Sequence, residues 1–219
     1  MKILVLDNYD SFTYNLVHYL EELTGKSVTV ARNDEITIEQ ASAFDLIVLS
    51  PGPGIPDEAG ILKELILKLA PVKSILGICL GMQAIGEVFG GHLTNLEEIY
   101  HGVATDILVT EPADPLFTGL PKIFKGGRYH SWVVDGDTMP SCFRITATDE
   151  NGMVMGITHK QYDVCGLQFH PESVLTENGK KILSNWLTKS ALKNDQQPLF
   201  PSVDNDHFAN PDVFSGTLC

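Results

Sequence analysis

The chain has 219 residues, 43% of them hydrophobic, and its 15 basic against 28 acidic side chains give a net charge of -13. That length suits one substantial core, and the apolar content allows folding without metal or disulfide staples. The negative balance repels nucleic acid and anionic membrane surfaces, so neither is expected as a partner.

Four cysteines, Cys79, Cys142, Cys165 and Cys219, are sparse and show no CxxC or CxxH spacing, which argues against a disulfide framework and against a zinc site. Cys142 and Cys165 fall in strand-like runs and are expected in the core; terminal Cys219 is read as incidental. "MKILVLDNYD" meets Asp7 too soon for a signal peptide, and no run reaches transmembrane length. A reducing cytoplasm is the expected compartment.

In chain order, the strand-like "KILVL" is followed by "SFTYNLVHYLEEL", where Phe12, Leu16, Tyr19, Leu20 and Leu23 mark a helical stripe with Asp10 or Ser11 as N-cap and Gly25 as stop. Strands "SVTVA", "DLIVLS" and "SILGI" then alternate with helices "ILKELILKL" and "MQAIGEVFG", a βαβ pattern that predicts a parallel sheet. "DLIVLS" and "SILGI" are almost wholly apolar, as central strands covered on both faces are. Afterwards "ATDILV", "RYHSWVV", "FRITAT", "MVMGITH" and "VCGLQF" are separated by turns rather than helices, which fits an antiparallel extension of the same sheet. "TENGKKILSNWLTKSAL" resumes helical spacing. The reading is one α/β domain over residues 1–190, an open, mixed, largely parallel and flavodoxin-like sheet flanked by helices, then a C-terminal extension over 191–219 read as irregular or disordered. The extension's Phe200, Phe208 and Phe214 could dock on the domain or on a partner.

"GICLG" has the G-x-nucleophile-x-G spacing of a nucleophile elbow, with Cys79 between strand "SILGI" and helix "MQAIGEVF". The unpaired N–H groups and dipole of a helix N-terminus favour thiolate over thiol. Taken alone, Cys79 also reads as a buried small hydrophobe. A thiolate nucleophile needs a proton shuttle, and "QFHPES" offers His170 with Glu172 to fix its tautomer, both on one side if the segment is extended. By itself an H-x-E also fits a solvated turn. "LSPGPGIPDEAG" follows strand "DLIVLS" and so leaves the carboxyl edge of the sheet, where its glycines could present N–H donors to an oxyanion. A plain Pro/Gly turn is the other reading of that segment.

Taken in order, "LSPGPG", "GICLGMQAI", "GGRYHSWVV" and "GLQFHPES" resemble the class I, triad-type glutamine amidotransferases over about residues 1–190. The resemblance implies Cys79 as nucleophile, His170 as general base and acid, and Glu172 as the group that orients His170. It implies an oxyanion hole from the backbone N–H groups of Gly52 and Leu80. Glutamine would be bound by Gly52, Pro53, Gly54, Gln83, Ser131 and Trp132, with His130 at the border of the pocket. Met82 and Trp132 stand where many relatives have histidine and leucine, which bears on pocket shape. No metal and no cofactor are implied.

"LDNYDSFTYNL" and "NGMVMGITH" further resemble the subunits serving chorismate-using synthases, anthranilate synthase component II and aminodeoxychorismate synthase component II. The implied substrate is L-glutamine. The implied partner is a chorismate-binding synthase subunit, component I of either enzyme, since the chain has no room for a synthase domain of its own. Anthranilate synthase, of tryptophan biosynthesis, is the leading reading; the folate-pathway enzyme, or a subunit shared by both, is the alternative. Asn8, Tyr9, Asp10 and Ser11 are assigned to partner contact, although the segment also reads as a capped helix entry. A non-catalytic doubly wound module holding an anion at a helix N-terminus is the reading from another class; it requires that Cys79→Ser change nothing.

Overall fold

A computed structural model describes residues 1–97, 99–196 and 219, without the side chains of 193–196. The strand-like runs of the first half become β1 (Ile3–Asp7), β2 (Thr29–Arg32), β3 (Leu46–Leu49) and β4 (Ser74–Ile78), joined by α1 (Thr13–Thr24), α2 (Ile38–Ser42) and α3 (Leu62–Leu69); α4 (Leu80–Val88) follows β4. Residues of a strand alternate between faces. Ile3, Val5, Val48, Leu76 and Ile78 therefore pack toward Leu16 and Leu20 of α1 and toward Ile182, Leu183 and Trp186 of the last helix. Leu4, Leu6, Ile47, Leu49 and Ile75 face Ile38, Leu62, Leu65, Ile66 and Ile85 of α2, α3 and α4. Each such side chain taken out of water stabilises the fold by about 1.5–3 kcal/mol, so the two apolar layers hold the sheet between them.

The second half supplies β5 (Leu93–Asn95), β6 (Val103–Val109), β7 (Ile123–Arg128), β8 (Trp132–Val134), β9 (Phe143–Thr148), β10 (Val154–His159), β11 (Val164–Leu167) and α5 (Gly179–Gln196). The main sheet has nine strands in the order β2-β1-β3-β4-β11-β10-β9-β6-β7, and β5 pairs β8 in a separate ribbon. Strands β2, β1, β3, β4 and β11 run parallel, and β10, β9, β6 and β7 form the antiparallel extension.

Several expectations need correcting. "VCGLQF" is not part of the antiparallel extension: β11 lies parallel to β4 in the middle of the sheet. "RYHSWVV" is two strands, because the chain leaves β7 after Arg128 and re-enters a different sheet at Trp132. α1 starts at Thr13 with Phe12 at the N-cap position and no side-chain cap. Asp10 acts one residue earlier, accepting from the Phe12 N–H at 2.7 Å. Leu23 is 36% exposed while Val17 is buried, so the stripe is rotated by a fraction of a turn. Gly25 does close the helix in the left-handed region, φ 64°. The 190/191 boundary falls inside α5, which continues to Gln196; residues 197–218, with Phe200, Phe208 and Phe214, lie outside the described residues.

Cys165 is buried, as expected for a core residue. Cys142 is half-buried just ahead of β9 and forms a disulfide with Cys219 across 77 residues. Cys142 is therefore not the core residue expected and Cys219 is not incidental, since pairs this distant in sequence leave no local signature.

Candidate active site

Four loops leave the carboxyl ends of parallel strands on one edge of the sheet: 8–12 after β1, 50–61 after β3, the turn at Cys79 after β4, and 168–178 after β11. That edge is where open α/β sheets place their sites. At the third of these, Cys79 adopts φ 50°, ψ -103° between β4 and α4, a conformation a non-glycine residue holds only when its surroundings enforce it. The flanking glycines allow this close turn: a Cβ on Gly77 would lie 2.5 Å from the Gly81 carbonyl carbon, and one on Gly81 2.6 Å from the Leu49 carbonyl oxygen. Cys79 is 5% exposed, so its sulfur lies at the floor of the site rather than proud of the surface.

His170 and Glu172 meet as a pair, Nδ1 to Oε1 at 2.8 Å, with both side chains essentially buried. They do so across a turn, in which the Ser173 N–H donates to the His170 carbonyl, and not by the strand alternation expected from sequence. The turn is tied to β7, because the His170 N–H donates to the Gly127 carbonyl at 2.9 Å. Burial alone would lower the pKa of the His170 ring; Cys79 and Glu172 outweigh it and push the pKa up to about 10. At neutral pH the ring therefore keeps both protons, one directed at Glu172. Nε2 is buried and makes no hydrogen bond of ordinary geometry among the described residues; the Cys79 side chain is the first of the groups that raise the ring's pKa.

The loop after β3 is pressed against the elbow. A Cβ on Gly52 would sit 2.6 Å from Leu80 Cδ2 and 2.7 Å from the Asn8 carbonyl oxygen, so only glycine lets the chain pass here. Leu80 is the first residue of α4, and its N–H belongs to the unpaired donors of a helix start. Pro53 and Gly54 are exposed, with Gly54 in the left-handed region at φ 71°. Gln83 is buried, one turn into α4, and its Nε2 donates to the Trp132 carbonyl at 2.8 Å. Ser131 and Trp132 are half-buried beside it. Met82 is wholly buried with its side chain against Gly166 of β11, so it shapes the helix-to-sheet contact and not the pocket.

Of the four residues assigned to partner contact, Asn8 is misplaced. It is 2% exposed, bonded to Ser50 through its N–H and its side-chain amide, and accepts from Asn33 Nδ2 at 3.0 Å; it pins the first loop to the third strand. Tyr9 and Ser11 are exposed and Asp10 half-buried. Tyr9 has φ 63°, and its hydroxyl donates to Asp34.

Sequence reasoning gives no site role to four further residues. The Phe12 ring lies 5.6 Å from the His170 ring and 4.9 Å from that of Tyr129, which in turn lies 4.8 Å from His170. Helical spacing places Phe12 only in the α1 stripe. Arg128, 1% exposed, donates to Asp149 at 2.8 Å and through Nε to His130 Nε2 at 3.1 Å. Gln168, 0% exposed, lies 3.5 Å from the Cys79 sulfur. A lone amide inside the apolar run "VCGLQF" is the signal that points to it.

His130 is set between an obligate donor, Arg128, and an obligate acceptor, the Trp132 carbonyl 3.0 Å from Nδ1. Its proton therefore sits on Nδ1. Burial, then the Arg128 charge, lower its pKa to about 3. Unfolding releases it to the usual value near 6.5, so between these values the unfolded chain binds the extra proton and stability falls as pH drops. With those pKa values the wild type loses about 2 kcal/mol between pH 7 and pH 5 that a His130→Gln variant keeps. Urea unfolding of both chains at the two pH values measures this; parallel losses would show that His130 is not held neutral.

A cysteine in a strained strand-to-helix turn, a buried His–Glu pair whose ring responds to it and a glycine loop packed on the turn are the parts that a cysteine-dependent acyl-transfer enzyme of the triad type requires. The class-I glutamine amidotransferase family matches residues 4–190, and the chain belongs to that family. It is 46% identical over 187 residues to the aminodeoxychorismate/anthranilate synthase component 2 of Bacillus subtilis (strain 168), covering 84% of this chain and 95% of that protein. Similarity to the aminodeoxychorismate synthase component 2 of Escherichia coli (strain K12) is 46% over 187 residues, covering 84% and 98%. With the anthranilate synthase component 2 of Pseudomonas putida it is 45% over 197 residues, covering 87% and 98%. A Thermoplasma acidophilum crystal structure, named for a GMP synthase, superposes with a TM-score of 0.80 at 29% identity over 89% of this chain and 96% of that one.

No described helix is long and apolar enough to cross a membrane. Among the described residues no group of three or more His, Cys, Asp or Glu could hold a metal ion.

Proposed function

We propose that the protein is the glutaminase subunit of a chorismate-using synthase, with anthranilate synthase as the first candidate and aminodeoxychorismate synthase, or both, as the alternative. The observation that carries this is the meeting of the His170–Glu172 pair, the Cys79 elbow and the Gly52 loop at one sheet edge. Near full-length similarity to component 2 proteins of both synthases adds the partner class.

The chemistry follows from the parts. The Cys79 sulfur attacks the side-chain amide carbon of glutamine, forming a C–S bond, and the carbonyl oxygen becomes an oxyanion facing the Gly52 and Leu80 N–H groups. Two such donors already in place lower the barrier because no solvent has to reorganise around the new charge. Collapse breaks the C–N bond, and His170 gives its Nε2 proton to the departing nitrogen, which leaves as ammonia. The ring, held by Glu172 in the right orientation, then takes a proton from water as that water attacks the thioester, and glutamate leaves with the sulfur restored. Ammonia is mostly protonated in neutral water and no longer nucleophilic, so it is useful only when passed directly to a second site on the partner.

Tyr9 and Ser11 are exposed on the loop that carries Phe12, and Phe12 packs against the His170 ring. A synthase bound to that loop would thereby act on the catalytic imidazole, which supplies a physical route for partner-stimulated hydrolysis. The test is glutamate release by the purified chain alone and with component I of each synthase, scoring anthranilate and aminodeoxychorismate. Stimulation with glutamine-dependent product from at least one partner is expected. Failure of both partners to form product from glutamine, while each works with ammonia, would overturn the assignment.

A further inference from the structure

Gln168 is a polar side chain in direct contact with the Cys79 sulfur, and hydrogen-bond direction fixes what it does there. The Trp132 carbonyl can only accept. It receives one bond from His130 Nδ1 at 3.0 Å and one from Gln83 Nε2 at 2.8 Å. The amide nitrogen end of Gln83 must therefore face Trp132, and its second hydrogen points at Gln168 Oε1, 3.3 Å away. With its oxygen so engaged, Gln168 has its own amide nitrogen directed at the Cys79 sulfur at 3.5 Å. The series begins at a buried anchor, since the Arg128 guanidinium is paired with Asp149 and stacked 3.5 Å from the centroid of the Tyr100 ring. Every direction along it is set by a group that cannot reverse its role: a guanidinium at one end and a carbonyl in the middle.

We propose that Gln168 is a further catalytic residue, whose carboxamide, locked in one orientation by Gln83 and the Trp132 carbonyl, donates a hydrogen bond to the Cys79 sulfur and stabilises the anion that attacks glutamine. A donor on sulfur also aims the remaining lone pairs, so the attacking direction is set before substrate arrives. Hydrogen bonds to a charged partner are roughly twice as strong as neutral ones, and a buried amide left without this role would carry a desolvation penalty. The proposal rests on the amidotransferase reading, because it assigns Gln168 to the same sulfur.

Its test separates the two. Gln168→Met removes the donor at similar volume; Gln168→Glu keeps the shape but cannot donate when ionised and sets a like charge beside the sulfur. Alkylation of Cys79 by iodoacetamide at pH 7, resolved by peptide mass spectrometry, needs no glutamine and reads the sulfur alone. We expect alkylation to slow about tenfold in Gln168→Met and further in Gln168→Glu. Partner-stimulated kcat should drop by about 10- to 100-fold with the KM for glutamine changed less than about threefold. Melting temperatures near wild type in at least the Met variant exclude unfolding as the cause. Wild-type alkylation rates in the folded variants, or a loss confined to KM, would overturn the role while leaving the amidotransferase reading intact. Absence of glutaminase activity in the wild-type complex would instead sink that reading.

Discussion

Cys79→Ser is expected to lower glutamate release from glutamine by at least about 10³-fold while leaving ammonia-dependent synthesis by the partner intact. The reason is local. The elbow holds position 79 at φ 50° whichever side chain is there, so a serine would occupy the same place, but its hydroxyl is a far weaker acid than a thiol. It would also remove one of the two partners that raise the pKa of His170. On the proposed function, added ammonia would reach the partner without using this site, so its use would show that the partner itself remains active. Loss of both activities would indicate an inactive partner and say nothing about the nucleophile. Retention of both would return Cys79 to the role of a small buried hydrophobe.

Glu172→Gln should cost about 10²- to 10⁴-fold in glutamine-dependent turnover with little change in KM. Glu172 is 1% exposed and bonded to His170 Nδ1. An amide there can turn its nitrogen to the ring and force the wrong tautomer, which a carboxylate cannot do. The sign of the pH effect is fixed as well. Glu172 raises the pKa of the ring, from the ordinary 6.5 to about 10 together with Cys79, and in the proposed mechanism the protonated ring is the form that delivers a proton to the departing amide nitrogen. Removing the carboxylate lowers that pKa, so on the proposed mechanism activity in the variant should disappear at lower pH than in the wild type. The pH dependence of kcat for both chains measures this, read as the behaviour of the coupled Cys79–His170 pair and not of one residue. An alkaline limb that stays in place would separate Glu172 from the titration.

Much of the arrangement is legible in the sequence because local pattern and three-dimensional role coincide in it. "GICLG" carries its own steric logic, since Gly77 and Gly81 are the residues that let helix and strand approach. The apolar runs "DLIVLS" and "SILGI" read as central strands and are wholly buried as β3 and β4. What escapes depends on partners distant in sequence. The parallel placement of β11 beside β4 joins segments far apart in the chain, Val164 opposite Ile75 and Leu167 opposite Ile78, and nothing in "VCGLQF" states its direction. α2 has five residues, too few for a periodic signal. Asn8 reads as a surface motif because its partners Ser50 and Asn33 lie 42 and 25 residues away. Gln168 stands in a motif without a role for the same reason: its meaning comes from Cys79, 89 residues earlier. The Cys142–Cys219 bond likewise spans a distance that spacing rules do not reach.

That glutamine is opened on the sulfur of Cys79, with His170 and Glu172 in attendance, is tested most directly by rapid acid quench of the partner complex during turnover, followed by peptide mass spectrometry. A glutamyl adduct should be found on the peptide carrying Cys79, build up when His170→Asn slows hydrolysis of the thioester relative to its formation, and be absent from Cys79→Ser. Glutamate released at the wild-type rate with no adduct at Cys79, or with the adduct on another residue, would contradict the claim.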